Sequence, residues 1–218
     1  VVSRKKTYEN LKTDLEEKKE RLKDQTKSKE IILTQTKSSE LRYRVLLAGL
    51  RRQEQAEVNE ERAYEETLKK KLAQENKLAV SAGPFSWPLP SRTITATFHD
   101  PDYPFRNVFE HSAIDIRASQ GTPVRAAATG YVARAKVCGA ASCYSYVLIV
   151  HSGNLSTLYG HLSKVSVQGD QFVSKGDIIG YSGGKPGTVG AGPFVTGPHL
   201  HFEVRLNGIP IDPMGYLE

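Results

Sequence analysis

Hydrophobic and polar residues follow a helical period in the first third of the chain. Over residues 2–37 the apolar residues recur on one heptad frame, which predicts a helix with an apolar seam. The residues on the a and d positions of this frame are Tyr8, Leu11, Leu15, Leu22 and Ile32. Polar residues interrupt the same seam at Lys18, Gln25 and Lys29. These interruptions predict a helix that cannot form a strong coiled coil on its own.

A second helix is predicted over residues 40–78. Residues 34–40 are rich in Ser and Thr, whose side chains compete for backbone hydrogen bonds, so we predict a break or turn there. Ser38 or Ser39 is expected to cap the new helix, with Glu40 in its first turn. Two helices of similar length with weak seams favour an antiparallel hairpin, and a single interrupted rod is the alternative.

The period changes to two after residue 91. Residues 80–91 contain Gly and Pro residues that end the helical pattern, and we predict a linker in which Trp87 is the first residue to pack on the following domain. Short alternating runs then follow, separated by Gly, Asn and Ser, which predicts a mainly antiparallel β domain. The predicted strands are residues 93–98, 124–128, 131–137, 146–150, 156–159, 177–181 and 200–205. Asn207-Gly208 predicts a type I′ turn leading to residues 209–211.

The predicted fold class is therefore α+β with more than one domain. A helical coiled-coil arm occupies residues 1–79, the linker residues 80–91, and the β domain residues 92–218. Composition supports this division, because the first 82 residues hold one of the 18 glycines and none of the 11 prolines. Of the formal charge of +6, residues 1–80 carry +5.

The charge pattern argues against a nucleic-acid partner. Acidic residues interleave with the basic ones along the arm and cancel most of the field, and no aromatic residues are placed for stacking on bases. No run is long and apolar enough to span a membrane, and no signal peptide is visible. The only methionine is Met214, so we expect a processed or trimmed chain whose export signal or anchor precedes Val1.

Two cysteines, Cys138 and Cys143, lie between two predicted strands. A disulfide that closes this short loop is typical of an exported protein, and a pair of free thiols is the alternative. No other soft ligand lies nearby in the sequence, which argues against a metal site at these cysteines.

Candidate chemistry is concentrated among the histidines of the β domain. His199 and His201 alternate with apolar residues, so both imidazoles leave the strand on one side. His111 and Asp115 stand four residues apart, and His161 follows a predicted strand. A catalytic zinc needs three protein ligands and an open position, which His111, Asp115 and His201 could supply, leaving His161 and His199 for proton transfer.

Two further expectations concern the surroundings of these histidines. Each ligand histidine should donate its second ring N–H to a carboxylate or a carbonyl group. His151 ends an apolar strand and has no motif around it, so we predict a hydrogen-bonded structural residue.

Three motifs in this order carry a family resemblance: His-x-x-x-Asp at 111–115, Tyr-Gly-His-Leu at 159–162 and Pro-His-Leu-His-Phe-Glu at 198–203. From about Trp87 to Tyr216 the chain resembles the lysostaphin-type (LytM-domain) zinc metallopeptidases, which cut peptide bonds in bacterial peptidoglycan.

The resemblance implies one Zn²⁺ per chain held by His111, Asp115 and His201. It also implies that His199 and His161 act as general base and transition-state stabiliser, without fixing which does which. Two departures are Ala113, where many relatives have Gly, and a longer Gly-rich stretch at residues 183–192.

The plan of a coiled coil followed by a LytM domain is similar to that of some peptidoglycan hydrolases and hydrolase activators of cell division. That similarity implies an extracytoplasmic location in the bacterial cell envelope. It also implies a membrane-protein partner docking on residues 1–79, which would inhibit, recruit or space the domain. Five intact site residues favour an active endopeptidase. The alternatives are a non-catalytic activator of another wall hydrolase and an envelope adaptor whose zinc only stabilises the fold.

Overall fold

The computed structural model describes residues 37–52 and 84–218 without interruption, together with single residues between 19 and 66. The chain divides into two units, Val1–Gln53 and Glu54–Glu218. Among the described residues, no helix has the length and apolar character needed to cross a membrane.

Residues 37–52 are helical. Lys37 already lies in the helix, so neither Ser38 nor Ser39 caps a helix start, and that prediction is wrong. Both serines are exposed, and an exposed Ser inside a helix costs only a few tenths of a kcal/mol relative to Ala. Residues 34–36 and most of the predicted hairpin lie outside the described residues, so the hairpin stays a prediction.

Residues 84–218 form a mainly antiparallel β domain, which confirms that part of the predicted fold class. Its strands are β1 (Ile94–Ala96), β2 (Ile114–Arg117), β3 (Pro123–Arg125), β4 (Gly130–Lys136), β5 (Tyr146–Val150), β6 (Leu155–Gly160), β7 (Leu162–Val165), β8 (Gln171–Val173), β9 (Ile178–Ser182), β10 (His199–Leu206) and β11 (Ile209–Ile211). A 3₁₀ turn follows at Pro213–Gly215. The larger sheet has the order β1-β2-β10-β6-β5-β4-β8, with β11 on β10, and the smaller sheet has the order β3-β9-β7.

Every predicted strand is present with bounds shifted by a few residues, but β2, β7 and β8 were not predicted. The predicted type I′ turn is confirmed, since Asn207 and Gly208 have φ values of 53° and 78° and Leu206 pairs with Ile209.

The strand β10 lies in the middle of the larger sheet, between β2 and β6. Leu200, Phe202 and Val204 are fully buried in the core, as their alternation predicts, and each contributes roughly 1.5–3 kcal/mol by burial. The opposite face carries the polar residues, but it is covered too, because Glu203 and Arg205 on that face are buried. This central strand is therefore covered on both faces, which makes it a rigid support.

Part of the predicted linker belongs to the packed domain. Phe85 and Leu89 are 1% and 3% exposed and lie in the same core as β10. Phe85 also exchanges backbone hydrogen bonds with Tyr216 and Glu218 at the end of the chain. Trp87 packs against this core, as predicted.

Candidate metal centre

Three potential ligands meet above the junction of β2 and β10. His201 and Asp115 are direct cross-strand neighbours in the antiparallel ladder, so their side chains share one face of the sheet. His111 precedes β2, and its Nε2 lies 3.1 Å from Asp115 Oδ1; His201 Nδ1 lies 3.1 Å from the same oxygen. The ligand atoms of all three residues lie within 4.8 Å of one another. The structure thus brings together the three residues that the sequence predicts as ligands.

The two histidines of this group offer opposite ring nitrogens. His111 donates its Nδ1–H to the Thr97 carbonyl over 2.7 Å, which leaves Nε2 as the ring nitrogen that faces Asp115. His201 has Nε2 3.2 Å from Glu203 Oε1, which leaves Nδ1 facing Asp115. The expected carbonyl or carboxylate partner is therefore present for each ring.

His161 lies beside this group, in the connection between β6 and β7. Its backbone φ of 57° is in the left-handed region, an uncommon conformation for a residue with a Cβ. Its Nδ1–H donates to the Ala191 carbonyl over 2.6 Å, so Nε2 carries the lone pair. The ring centroid lies 4.7 Å from that of His199 and 5.5 Å from that of His201.

His199 opens β10 and is held in a similar way. It donates its Nδ1–H to the Gly197 carbonyl over 2.7 Å, and its Nε2 lies 3.5 Å from Asp115 Oδ2. Both residues that the sequence predicts as a proton-transfer pair thus adjoin the three potential ligands, with the Nε2 of each available.

Electrostatics sets the charge on each ring. Burial lowers the pKa of His161 well below its usual value, and His201 and His199 lower it further. Burial also lowers the pKa of His199, against the opposing effect of Asp115. For His201 burial would lower the pKa, but hydrogen bonds with Asp115 and Glu203 outweigh it and raise the pKa to about 9. His161 and His199 are therefore neutral at pH 7.

The carboxylate of Asp115 stays ionised. Burial raises its pKa, but hydrogen bonds with His111 and His201 outweigh that effect and lower the pKa below the usual value. A buried anion and two imidazole nitrogens are the donor set that Zn²⁺ prefers, and three protein ligands leave a coordination position for water or substrate. The residues present therefore fit a catalytic zinc.

Tyr144 lines the site beside His161, and the sequence did not predict this contact. Its ring lies edge-on to His161, with centroids 4.9 Å apart, and its hydroxyl covers Gly160. A Cβ at position 160 would lie 1.8 Å from the Tyr144 hydroxyl oxygen, so this approach needs glycine. The glycine before His161 in the Tyr-Gly-His-Leu motif is the one sequence signal of this contact.

A disulfide and a glycine-rich stretch border the same side of the site. Cys138 and Cys143 form the predicted disulfide directly before Tyr144. Tyr144 forms an antiparallel bridge with Ala191, whose carbonyl holds His161. Tyr144, which follows the disulfide loop, and Ala191 of the glycine-rich stretch thus both lie next to His161.

Comparisons with known proteins agree with this geometry. Residues 109–213 match the model of peptidase family M23. The DD-carboxypeptidase/endopeptidase Mpg of Neisseria meningitidis serogroup B is 41% identical over 105 residues, which are 48% of this chain and 22% of that protein. The peptidoglycan DD-endopeptidase ShyA of Vibrio cholerae is 38% identical over 109 residues, 50% of this chain and 23% of that protein. The aligned region spans less than a quarter of the length of these relatives.

A solved structure extends the similarity to the fold. The zinc-containing peptidase from Vibrio cholerae superposes with a TM-score of 0.51 and 31% identity, over 61% of this chain and 40% of that one. The family match over residues 109–213 includes all five histidine and aspartate residues of the site. The chain therefore contains a peptidase family M23 domain of the lysostaphin (LytM) type.

Proposed function

We propose that this protein is a zinc-dependent endopeptidase that hydrolyses peptide cross-links of bacterial peptidoglycan. One observation carries the proposal: the ligand atoms of His111, Asp115 and His201 converge within 4.8 Å, beside two neutral histidines whose Nε2 atoms are available. A complete site of this kind supports an enzyme over a non-catalytic activator.

His111 Nε2, His201 Nδ1 and an Asp115 oxygen would hold the zinc ion. When bound, zinc acts as a Lewis acid toward a carbonyl oxygen and makes a coordinated water more acidic. Asp115 compensates part of the positive charge, and the Thr97 and Glu203 oxygens fix the rings of the two ligand histidines.

His161 and His199 are prepared to accept protons. Each donates Nδ1–H to a backbone carbonyl, so the Nε2 of each neutral ring is an acceptor and cannot donate. The ring that takes the proton of the attacking water becomes a donor at Nε2. It can then deliver this proton to the leaving amine or hydrogen-bond to the oxygen of the scissile carbonyl. The centroid of the second ring lies 4.7 Å from that of the first, so both rings border the position proposed for the reacting group.

The substrate and location follow from the relatives. Both are named as endopeptidases, and one is named as a peptidoglycan DD-endopeptidase, which supports a cross-link peptide as the substrate and the bacterial envelope as the location. We assign to residues 1–79 the role of docking on a membrane partner that controls or places the peptidase domain, by the similarity of plan noted above.

The direct test is digestion of purified peptidoglycan by the zinc-loaded chain, with chromatography of the released fragments. We expect cross-linked fragments to decrease and their monomers to increase. The matched control is His199→Ala, which keeps the three ligands. Equal digestion by both proteins, or none by either on several wall chemotypes, would contradict the proposal.

The role of the arm is tested by comparing residues 1–218 with residues 84–218 in the same assay. Greater cleavage by the shorter chain would identify the arm as an inhibitor. Equal cleavage would leave docking or spacing as its role.

A further inference from the structure

A buried ion pair lies on the metal-facing side of β10. Arg205 Nε donates to Glu203 Oε2 over 2.6 Å, and the two residues are 3% and 5% exposed. Burying two charges costs several kcal/mol per ion in desolvation, and a well-packed apolar pair in the same place is often no less stable. Stability of the sheet therefore does not by itself explain why β10 carries this pair.

Glu203 also contacts a zinc ligand through its second oxygen. Oε1 lies 3.2 Å from His201 Nε2 and accepts a hydrogen bond from the Ser112 hydroxyl over 3.2 Å. His201 Nδ1, on the other side of the ring, is the atom that faces Asp115. Glu203 thus holds the ring from behind while Arg205 fixes the carboxylate.

The two ligand histidines differ in what holds them. The backbone carbonyl of Thr97 holds His111, so a side-chain substitution at position 97 leaves that acceptor in place. For His201 the acceptor is a side chain. Rotation of the His201 ring by half a turn would exchange Nδ1 for a carbon atom and remove the ligand, and the hydrogen bond to Glu203 opposes that rotation.

We propose that Glu203 is a positioning residue, which orients His201 so that Nδ1 faces the metal, and that Arg205 holds Glu203 in that position. The inference rests on the proposed metal site. It extends that site from the three ligands to a chain of side chains running from Asp115 through His201 and Glu203 to Arg205.

Two double variants of the full chain distinguish the effect of orienting His201 from the effects of losing the buried charges and of changing the packing. E203Q/R205M and E203M/R205M both replace the ion pair by uncharged residues of similar volume. Only Gln keeps an oxygen that can accept the His201 N–H. We measure the Zn²⁺ dissociation constant by competition with a chromophoric chelator. We also measure the Tm of the chelator-treated proteins.

We expect the Tm values of the two variants to agree, and E203M/R205M to bind zinc about 10- to 100-fold more weakly than E203Q/R205M. A merely structural role would change Tm and leave this difference in dissociation constant at zero. Ser112→Ala is the control, since it removes a hydrogen bond to the same Glu203 oxygen and leaves His201 held. We expect it to bind zinc as the wild type does.

Glu203→Asp gives a second measurement that keeps the negative charge beside Arg205. It shortens the side chain by one methylene and withdraws the acceptor from His201, so weaker zinc binding supports the inference and unchanged binding overturns it. Equal zinc affinities of the two double variants overturn the inference alone. A wild-type chain that binds no zinc overturns both this inference and the proposed function.

Discussion

Two buried histidines of this domain, His151 and His161, show what distinguishes a structural residue from one available for chemistry. Each follows a strand of the larger sheet, β5 or β6. His151 donates Nδ1–H to the Thr129 carbonyl over 2.9 Å, and its Nε2 lies 2.8 Å from the Thr157 hydroxyl. Its ring also packs against Phe85, with centroids 5.1 Å apart. Both of its nitrogens are therefore used inside the fold, as the sequence predicted for a structural histidine.

His161 has the same depth but uses only one nitrogen in this way. Nδ1–H donates to Ala191, while Nε2 forms no hydrogen bond within the part of the chain that the structure describes. Its neighbours on that side are the rings of His199 and His201. The difference between the two histidines is therefore the second nitrogen, and burial alone does not reveal it.

Removal of the His161 ring tests the difference between the two histidines most directly. We expect His161→Ala to lower kcat about 10²- to 10⁴-fold, because a general base or its partner is lost, while zinc content stays at one ion per chain. Peptidoglycan digestion and metal analysis of the same sample provide the measurement. The counterpart is His151→Ala, for which we expect kcat within about twofold of the wild type when assayed well below its Tm.

An equal loss of kcat in both variants, at equal fractions of folded protein, would contradict this comparison. It would mean that a free Nε2 does not distinguish a catalytic histidine from a structural one. Loss of zinc from His161→Ala would place this residue among the ligands and contradict its assignment to proton transfer.

The sequence predicted the ligand group because its geometry is local. His199 and His201 alternate along one strand and so follow from its period of two, whereas His111 precedes β2 and was linked to Asp115 by the His-x-x-x-Asp motif. The motifs of the resemblance then joined the pairs across the fold. The mainly antiparallel sheet was predictable for the same reason, since most of its strands alternate clearly.

The surroundings of the ligands were not predictable, because they depend on contacts between distant segments. Tyr144 lies beside His161 where it forms an isolated bridge with Ala191, 47 residues later in the chain. Glu203 stood in a recognised motif, but the motif does not reveal that Ser112 and Arg205 both contact its carboxylate. A polar residue that alternates with buried ones predicts a face of the strand, and only the fold determines whether that face is covered.

The second prediction concerns stability at the structural histidine. His151→Ala leaves the Thr129 carbonyl and the Thr157 hydroxyl without this partner and removes a ring from Phe85. Each buried group left unsatisfied costs about 1–3 kcal/mol, so we expect the free energy of unfolding to fall by roughly that amount or somewhat more. Urea unfolding of the chelator-treated proteins measures it.

His161→Ala is the control in this experiment. Its Ala191 partner is a carbonyl next to the open site, where water can replace the imidazole, so we expect a smaller loss of stability than for His151→Ala. The reverse order of stabilities would show that His161 is the more important of the two for folding.

The smallest expected effect is the pH dependence of catalysis. Burial places the pKa of His161 well below the usual histidine value of 6.5, and that of His199 also below it. Each ring works as an acceptor only when neutral, so activity is present above these pKa values and is lost as the pH falls through them. We therefore expect kcat/KM, measured at saturating zinc, to change less than about twofold between pH 8 and pH 7 and to fall only below pH 6.5. His151→Ala should leave this acid limb in place, because both of its nitrogens are bonded inside the fold. The contrary result is a loss of activity that begins above pH 6.5 in the wild type and is absent in His151→Ala. The group that controls activity would then be His151, although both of its ring nitrogens are bonded inside the fold.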